Sequence, residues 1–511
     1  KKSFIIAICW EWPACVGLTE NIWKSRMDTD KKIKKNYIYN VTYQILNLIA
    51  PLLTTPYVAR VLGVEQIGRY SYISSITTYF ITLAILGSTP YAQREIAYLK
   101  GDKEKYSQLF WEMVAFRTLT VLVSCLLYGI IIIGAPTEER MLYILQGINI
   151  IIVAVDITWF FQGLENFKKV IIRNMIVRCA SIVLIFLLVK NESDLAIYMF
   201  ILSGIPLIGQ AMIWGYLKEY LVPIPYKKIN VKCHFKGIMA LFIPTIATAI
   251  YRAFDKTMIG LFTDSSIENG YYEQADRIVQ MCITVPTALS TVMSPRMAAS
   301  MAKKDTTMVN AYMYKTYEAL LLMAMPLGIG IFCVSDMIVP WFLGEQYYKV
   351  ILLLKIFSLI VPIVTLSNAV GVQYLIQARE EKVYTKSIFL GAGVNFGINL
   401  LMIPRMASVG AAIASVIAEF SILFYQMLYI CKKDRTLKLK QLFNNLWTCI
   451  ISCMCMALIV VLVKPFFQPN FLGTICVAVI GACTYGAMLL IFKEPMVCSV
   501  LDAIMGKLSR K

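Results

Sequence analysis

Apolar residues run along the chain in stretches of about twenty, parted by short polar segments. The stretches lie at 37–59, 70–88, 109–134, 141–162, 170–189, 195–217, 237–262, 274–295, 311–334, 350–376, 384–404, 407–430, 446–463 and 471–492. About 20 apolar helical residues cross a bilayer core of roughly 30 Å. The pattern therefore predicts an all-α polytopic membrane protein with about fourteen transmembrane helices. An even count puts both termini on one side.

Charge decides which side. Starting inside, the alternate segments around Lys31–Lys35, Arg94 to Lys105, Lys168–Lys169, Lys218–Lys236, Lys303–Lys304, Arg379–Lys386, Lys432–Lys440 and Lys493–Lys511 hold, together with the amino-terminal residues 1–26, 34 Lys and Arg. The other loops hold six: Arg69, Arg140, Lys190, Lys349, Arg405 and Lys464. Basic residues stay on the cytoplasmic side, so both termini are expected there, in a multi-pass protein of the cell membrane. The expected organisation is a cytoplasmic segment 1–36, a six-helix half 37–217, a linker 218–236 and a second six-helix half 237–430. Two further helices with their preceding loop follow over 431–492, then an amphipathic cytoplasmic tail over 493–511. Residues 1–26 read as an extension upstream of a start at Met27, because Ser3–Trp10 is too short to span and lacks a clean cleavage site.

Composition agrees. The 511 residues are 58% hydrophobic and 16% charged, far from the roughly 25% charged of a soluble domain. The net charge of +18 is placed mainly in the cytoplasmic segments, so it specifies topology and contact with anionic lipid head groups, not nucleic acid. One histidine, His234, falls in a polar stretch and is expected to be a solvated loop residue, which disfavours His-based metal sites and a Ser-His-Asp triad. The 14 cysteines are scattered without a CxxC framework. No metal or cofactor is expected, and the absence of a catalytic constellation argues against an enzyme.

A polar side chain in hydrocarbon is costly unless it faces protein or water, so such residues locate the interior. In the first span Asn40, Gln44, Asn47, Pro51 and Thr55 form one stripe, expected to line a cavity; Thr248 joins it from the seventh span. That span also carries Arg252, Asp255 and Lys256. Two cations one turn apart suit a phosphate or pyrophosphate; a plain Arg252–Asp255 pair is the structural alternative. Arg173 and Arg178 lie about 140° apart on a helix, so only one faces a cavity squarely, and Arg178 is the deeper. Asp156, Asp255 and Glu419 are candidate sites for a coupling proton or sodium ion. Gly391, Asn395 and Asn399 read mainly as close helix packing.

A weak internal repeat relates Pro51…Arg60-Val-Leu-Gly63…Gly68-Arg-Tyr70 to Pro244…Arg252…Ile259-Gly260…Gly270-Tyr-Tyr272, as parallel halves of a transporter would be. Pro56-Tyr-Val-Ala-Arg60-Val-Leu-Gly63…Gly68-Arg-Tyr70, Asp156-Ile-Thr-Trp159-Phe-Phe-Gln162-Gly-Leu-Glu165-Asn-Phe167, Ser294-Pro-Arg296 and Val394-Asn395…Asn399…Pro404…Gly410-Ala-Ala resemble the polysaccharide flippases. These are the Wzx-type, O-antigen-type members of the multidrug/oligosaccharidyl-lipid/polysaccharide exporter superfamily. The resemblance covers about residues 36–430. It implies alternating-access transfer of an undecaprenyl-pyrophosphate-linked oligosaccharide between leaflets, with a polysaccharide polymerase and glycosyltransferases as partners. It further implies a cationic central cavity, for which Arg60, Arg178, Arg252, Lys256, Arg277 and Lys355 are the candidates. The alternative is an ion-coupled multidrug exporter of the same superfamily, disfavoured because the first span holds no acidic residue.

Overall fold

The computed structural model describes residues 13–263, 265–433 and 437–499, with the backbone alone described for 13–45, 48, 226, 243–245, 247, 248, 250, 252 and 291. The described chain is helical throughout. In order it forms α1 (Pro13–Ile85), α2 (Ser88–Tyr98), α3 (Lys103–Gly134), α4 (Arg140–Val155), α5 (Thr158–Gly163), α6 (Phe167–Leu188) and α7 (Leu195–Ile213). A polar connection leads to α8 (Phe235–Phe262), α9 (Ser266–Ala302), α10 (Thr306–Phe342), α11 (Tyr348–Phe357), α12 (Ile360–Asn368), α13 (Glu381–Met406) and α14 (Ser408–Lys433). The short α15 (Leu439–Leu442) precedes α16 (Leu446–Val463) and α17 (Phe471–Ile491).

Local chemistry sets the breaks. Asp102, Asp305 and Asn470 cap α3, α10 and α17 by accepting from Lys105 N, Met308 N and Gly473 N at 3.1, 3.0 and 2.7 Å. Gly63 interrupts α1 with φ 75° and ψ 171°, a conformation open to glycine and not to the helix around it. α11 and α12 meet at 48°, and a π-helical turn, Ala369–Leu375, follows α12.

Eleven described helices are long and apolar enough to cross a membrane, or twelve if the bent α11–α12 pair is one span. That is fewer than the fourteen read from hydropathy. The stretch Ile49–Tyr98 contributes one span of 50 residues, and α8 is not among those that qualify. Bulky apolar side chains such as Leu126, Ile130, Leu187, Phe424 and Leu458 stand exposed on the helix exteriors, as a lipid-facing surface requires. The expected extension 1–26 and tail 493–511 fall largely outside the described residues or on backbone alone.

The Trp-Phe-Phe motif is a packing element. Trp159, Phe160 and Phe161 are wholly buried on α5; Trp159 and Phe160 pack on Phe110 of α3, and Phe161 meets Phe160 edge to face. Arg117 lies 5.5 Å from the Trp159 ring, and its Nη1 donates to Asp156 O at 2.8 Å. Trp159 Nε1 donates to the same carbonyl at 2.9 Å. Asp156 Oδ1 accepts from Thr158 N at 2.9 Å, and its carboxylate lies 3.7 Å from Arg117. Asp156 thus ends α4 and starts α5 while pairing a buried arginine.

Candidate functional site

Helices α1, α6, α7, α9 and the α12 end enclose a cavity of about 780 Å³. Arg178 enters it from α6 and Arg277 from α9, beside Asn47, Tyr70, Tyr198 and Gln280. Asn368 and Val372 bring the π-helical turn to its wall. Tyr70 and Tyr198 meet edge to face at 5.5 Å, which holds both rings at the wall. Of the residues expected from sequence, Arg178, Arg277 and Asn47 are brought together here.

The two arginines differ in company. Arg277 gives its Nε to Glu273 Oε1 at 2.7 Å. Among the described residues no carboxylate pairs with Arg178, and its buried Nε has no hydrogen-bond partner. Arg173 lies elsewhere, donating to Thr158 Oγ1 at 2.9 Å.

Lys256 stands behind the cavity wall. It bridges Glu273 at 2.7 Å and Asp276 at 3.0 Å, so the expected Arg252/Lys256 phosphate clamp is replaced at Lys256 by an internal carboxylate pair. Among the described residues around the cavity, three cations (Arg178, Arg277, Lys256) face two carboxylates (Glu273, Asp276), a surplus of one positive charge. Asp255, the residue before it on α8, points into a nest of neutral donors. It accepts from Tyr272 Oη and Ser415 Oγ at 2.5 Å each, and from Asn395 and Asn399 Nδ2 at 3.0 and 2.6 Å. Asn395 and Asn399 are therefore ligands of a buried carboxylate as well as a packing ridge. Among the described residues no cation neutralises Asp255.

Other expected site residues are dispersed. Arg60 donates to Trp341 O and is exposed. Lys355 lies 6.0 Å from the Phe332 ring, off the cavity wall. Glu419 accepts from Tyr251 Oη at 2.9 Å. The side chains of Asn40, Gln44, Thr248 and Arg252 lie outside the described residues.

A seam of polar and backbone contacts joins α1 to α8, α9 and the turn before α11. Ser71 donates to Glu273 Oε2 at 3.0 Å, and Thr257 bonds both Ser75 and Tyr79 at 2.9 Å. Tyr347 and Gln346 donate to Ala59 O at 3.1 and 3.4 Å. Backbones touch along it: a Cβ on Gly68 would sit 1.7 Å from Ser266 O, and one on Gly270 would sit 2.1 Å from Val64 O. Glu273, Tyr198, Ser71 and Gln280 were not foreseen from sequence. The i, i+4 spacing of Glu273 and Arg277 was the available signal.

His234 is not a solvated loop residue. Its side chain is 13% exposed, and its Nε2 lies 2.7 Å from Glu112 Oε2 of α3. Its Nδ1 lies 2.9 Å from Tyr91 Oη.

An all-helical multi-pass membrane protein with a polar, charged cavity held between helix groups has the build of a membrane transporter. The chain matches the polysaccharide biosynthesis protein family over residues 33–301, and it belongs to that family. It is 23% identical over 413 residues to a putative O-antigen transporter of Escherichia coli (strain K12), covering 79% of this chain and 98% of that one. A putative O-antigen transporter of Shigella dysenteriae is 21% identical over 401 residues, covering 77% and 99%. Among solved structures, the lipid II flippase MurJ in an inward closed conformation superposes with a TM-score of 0.71 at 16% identity, covering 90% of this chain and 99% of that one. An inward-facing multidrug resistance MATE family transporter superposes at 0.61 with 13% identity, covering 77% and 95%. These relatives and neighbours are transporters, not enzymes.

Proposed function

We propose that this protein is a flippase that carries an undecaprenyl-pyrophosphate-linked oligosaccharide from the cytoplasmic to the outer leaflet for cell-surface polysaccharide synthesis. The observation that carries the reading is Arg178. An arginine kept at a cavity wall, without a carboxylate among the described residues, is costly in a membrane protein and is stabilised by an anionic ligand. A pyrophosphate supplies that charge in a geometry a guanidinium fork matches. Arg277 faces the same space, and Asn47, Tyr70, Tyr198 and Gln280 offer hydrogen bonds to sugar hydroxyls. The lipid tail stays in the bilayer while the head group occupies the cavity.

The proposal includes fourteen spans, with α1 folding back at Gly63 and α8 crossing the membrane, as two six-helix halves and an added pair. Both termini are then cytoplasmic, and the seam at Gly68, Ser71 and Thr257 closes the outer end. Asp255 takes the coupling proton or sodium ion, since its buried carboxylate is ringed by neutral oxygen and amide groups and has no counter-charge among the described residues. The polymerase and glycosyltransferases that make and consume the repeat unit are its partners.

The test is flipping of a defined lipid-linked glycan in proteoliposomes, with and without sodium and proton gradients. Wild type is expected to flip it, Arg178→Ala to lose most of that activity, and Asp255→Asn to flip without responding to the gradients. Gradient-driven efflux of a cationic dye without glycan flipping would instead establish the small-molecule exporter.

A further inference from the structure

We infer that Glu112, Cys233 and His234 form a transition-metal site, best matched to zinc, that ties the connection between α7 and α8 to α3. The ligand atoms of the three residues all lie within 4.8 Å of one another. They offer one nitrogen, one oxygen and one sulfur, the donor set that zinc takes with a fourth position left to water. With a thiolate, a carboxylate and a neutral imidazole, the bound divalent ion is charge-neutral.

The surroundings are those of a prepared site. Outer groups orient metal ligands and fix the imidazole tautomer. Here Glu112 Oε1 is occupied, accepting from Gln108 Nε2 and Asn230 N at 2.9 Å each, which leaves Oε2 for His234 or an ion. On the far edge of the imidazole, Tyr91 Oη stands 2.9 Å from Nδ1. Glu112 is buried and Cys233 exposed, so an ion enters from solvent past the thiol. In the metal-free chain the His234 Nε2–Glu112 Oε2 contact at 2.7 Å and the Cys233 thiol bond to Asn230 O at 2.9 Å occupy the ligand atoms. Binding releases the thiol proton to solvent and shifts the single imidazole proton from Nε2, where it is given to Glu112 Oε2, to Nδ1, where Tyr91 Oη turns to accept it.

His234 is the last residue before α8, so the site pins the point where the chain passes between helix groups. None of its three residues lines the cavity, and the site does not rest on the transport reading.

Titration of the purified full-length protein in detergent with cobalt(II), as a spectroscopic stand-in for zinc, tests the assignment. Wild type is expected to show a thiolate-to-cobalt charge-transfer band that saturates at one equivalent and is displaced by zinc. Cys233→Ser removes an exposed thiol without disturbing packing and is expected to lose the band. His234→Ala is expected to weaken zinc affinity at least about tenfold by competition with a chromogenic chelator, in line with the loss of one ligand. A wild-type chain that shows no band, or a Cys233→Ser chain that keeps it, overturns the site.

Discussion

Arg178 and Arg277 carry the same charge into one cavity but have different obligations. Arg178 owes nothing to an internal carboxylate among the described residues, whereas Arg277 holds Glu273. Arg178→Ala is therefore expected to leave the folded yield near wild type while cutting flipping by an order of magnitude or more, the loss of one charge-assisted contact of about 1.5–3 kcal/mol. Arg178→Lys is expected to recover part of it, because a point charge replaces a fork. Arg277→Ala leaves Glu273 buried with Lys256 as its remaining cation, so it is expected to lower both activity and the monodisperse fraction in size-exclusion chromatography. Measuring flipping and yield together separates the two roles. Charges inside apolar runs were readable as interior residues from sequence. Their pairing was not, because Lys256 finds Glu273 and Asp276 on another helix.

Among the helices, α9 shows where a sequence reading stops. Hydropathy begins a span at 274, yet the helix begins at Ser266. Its first turns stay helical because Ser265 caps Ile267 N, Glu268 pairs Lys349 at 2.7 Å and Glu273 pairs Lys256. An apolar count registers those charges and not their partners, so Glu273 reads as a loop residue. The same limit applies to the Trp-Phe-Phe motif, whose residues stand out in sequence but whose service to Arg117 and Asp156 appears only in three dimensions. Stretches without such charges, α16 and α17, coincide closely with their apolar runs. Backbone contact between α1 and α9 gives a further expectation. Gly68→Ala places a methyl group against Ser266 O and is expected to force the helices apart, raising thiol-reagent labelling of a cysteine introduced at Ser71. Gly129→Ala, with open space around its Cβ position, is expected to leave that labelling unchanged.

For the whole molecule, the proposed transport cycle requires the seam to open and close. A Ser75→Cys, Thr257→Cys pair joins positions whose hydroxyls are 2.9 Å apart. Oxidation is expected to stop flipping, and dithiothreitol to restore it, while either single variant works in both conditions. Activity that survives verified cross-linking would rule out movement at this seam. The seam also sets an energy scale. Among the described residues its polar bonds are Ser71–Glu273, Ser75–Thr257, Tyr79–Thr257, Arg60–Trp341, Gln346–Ala59 and Tyr347–Ala59. At a net worth near 1 kcal/mol apiece they total on the order of 6 kcal/mol. One charge crossing a potential of 100 mV supplies about 2.3 kcal/mol. In the proposed cycle two or three ions would match the polar part of the closure, which makes the seam a latch of a size that an ordinary membrane potential would reset.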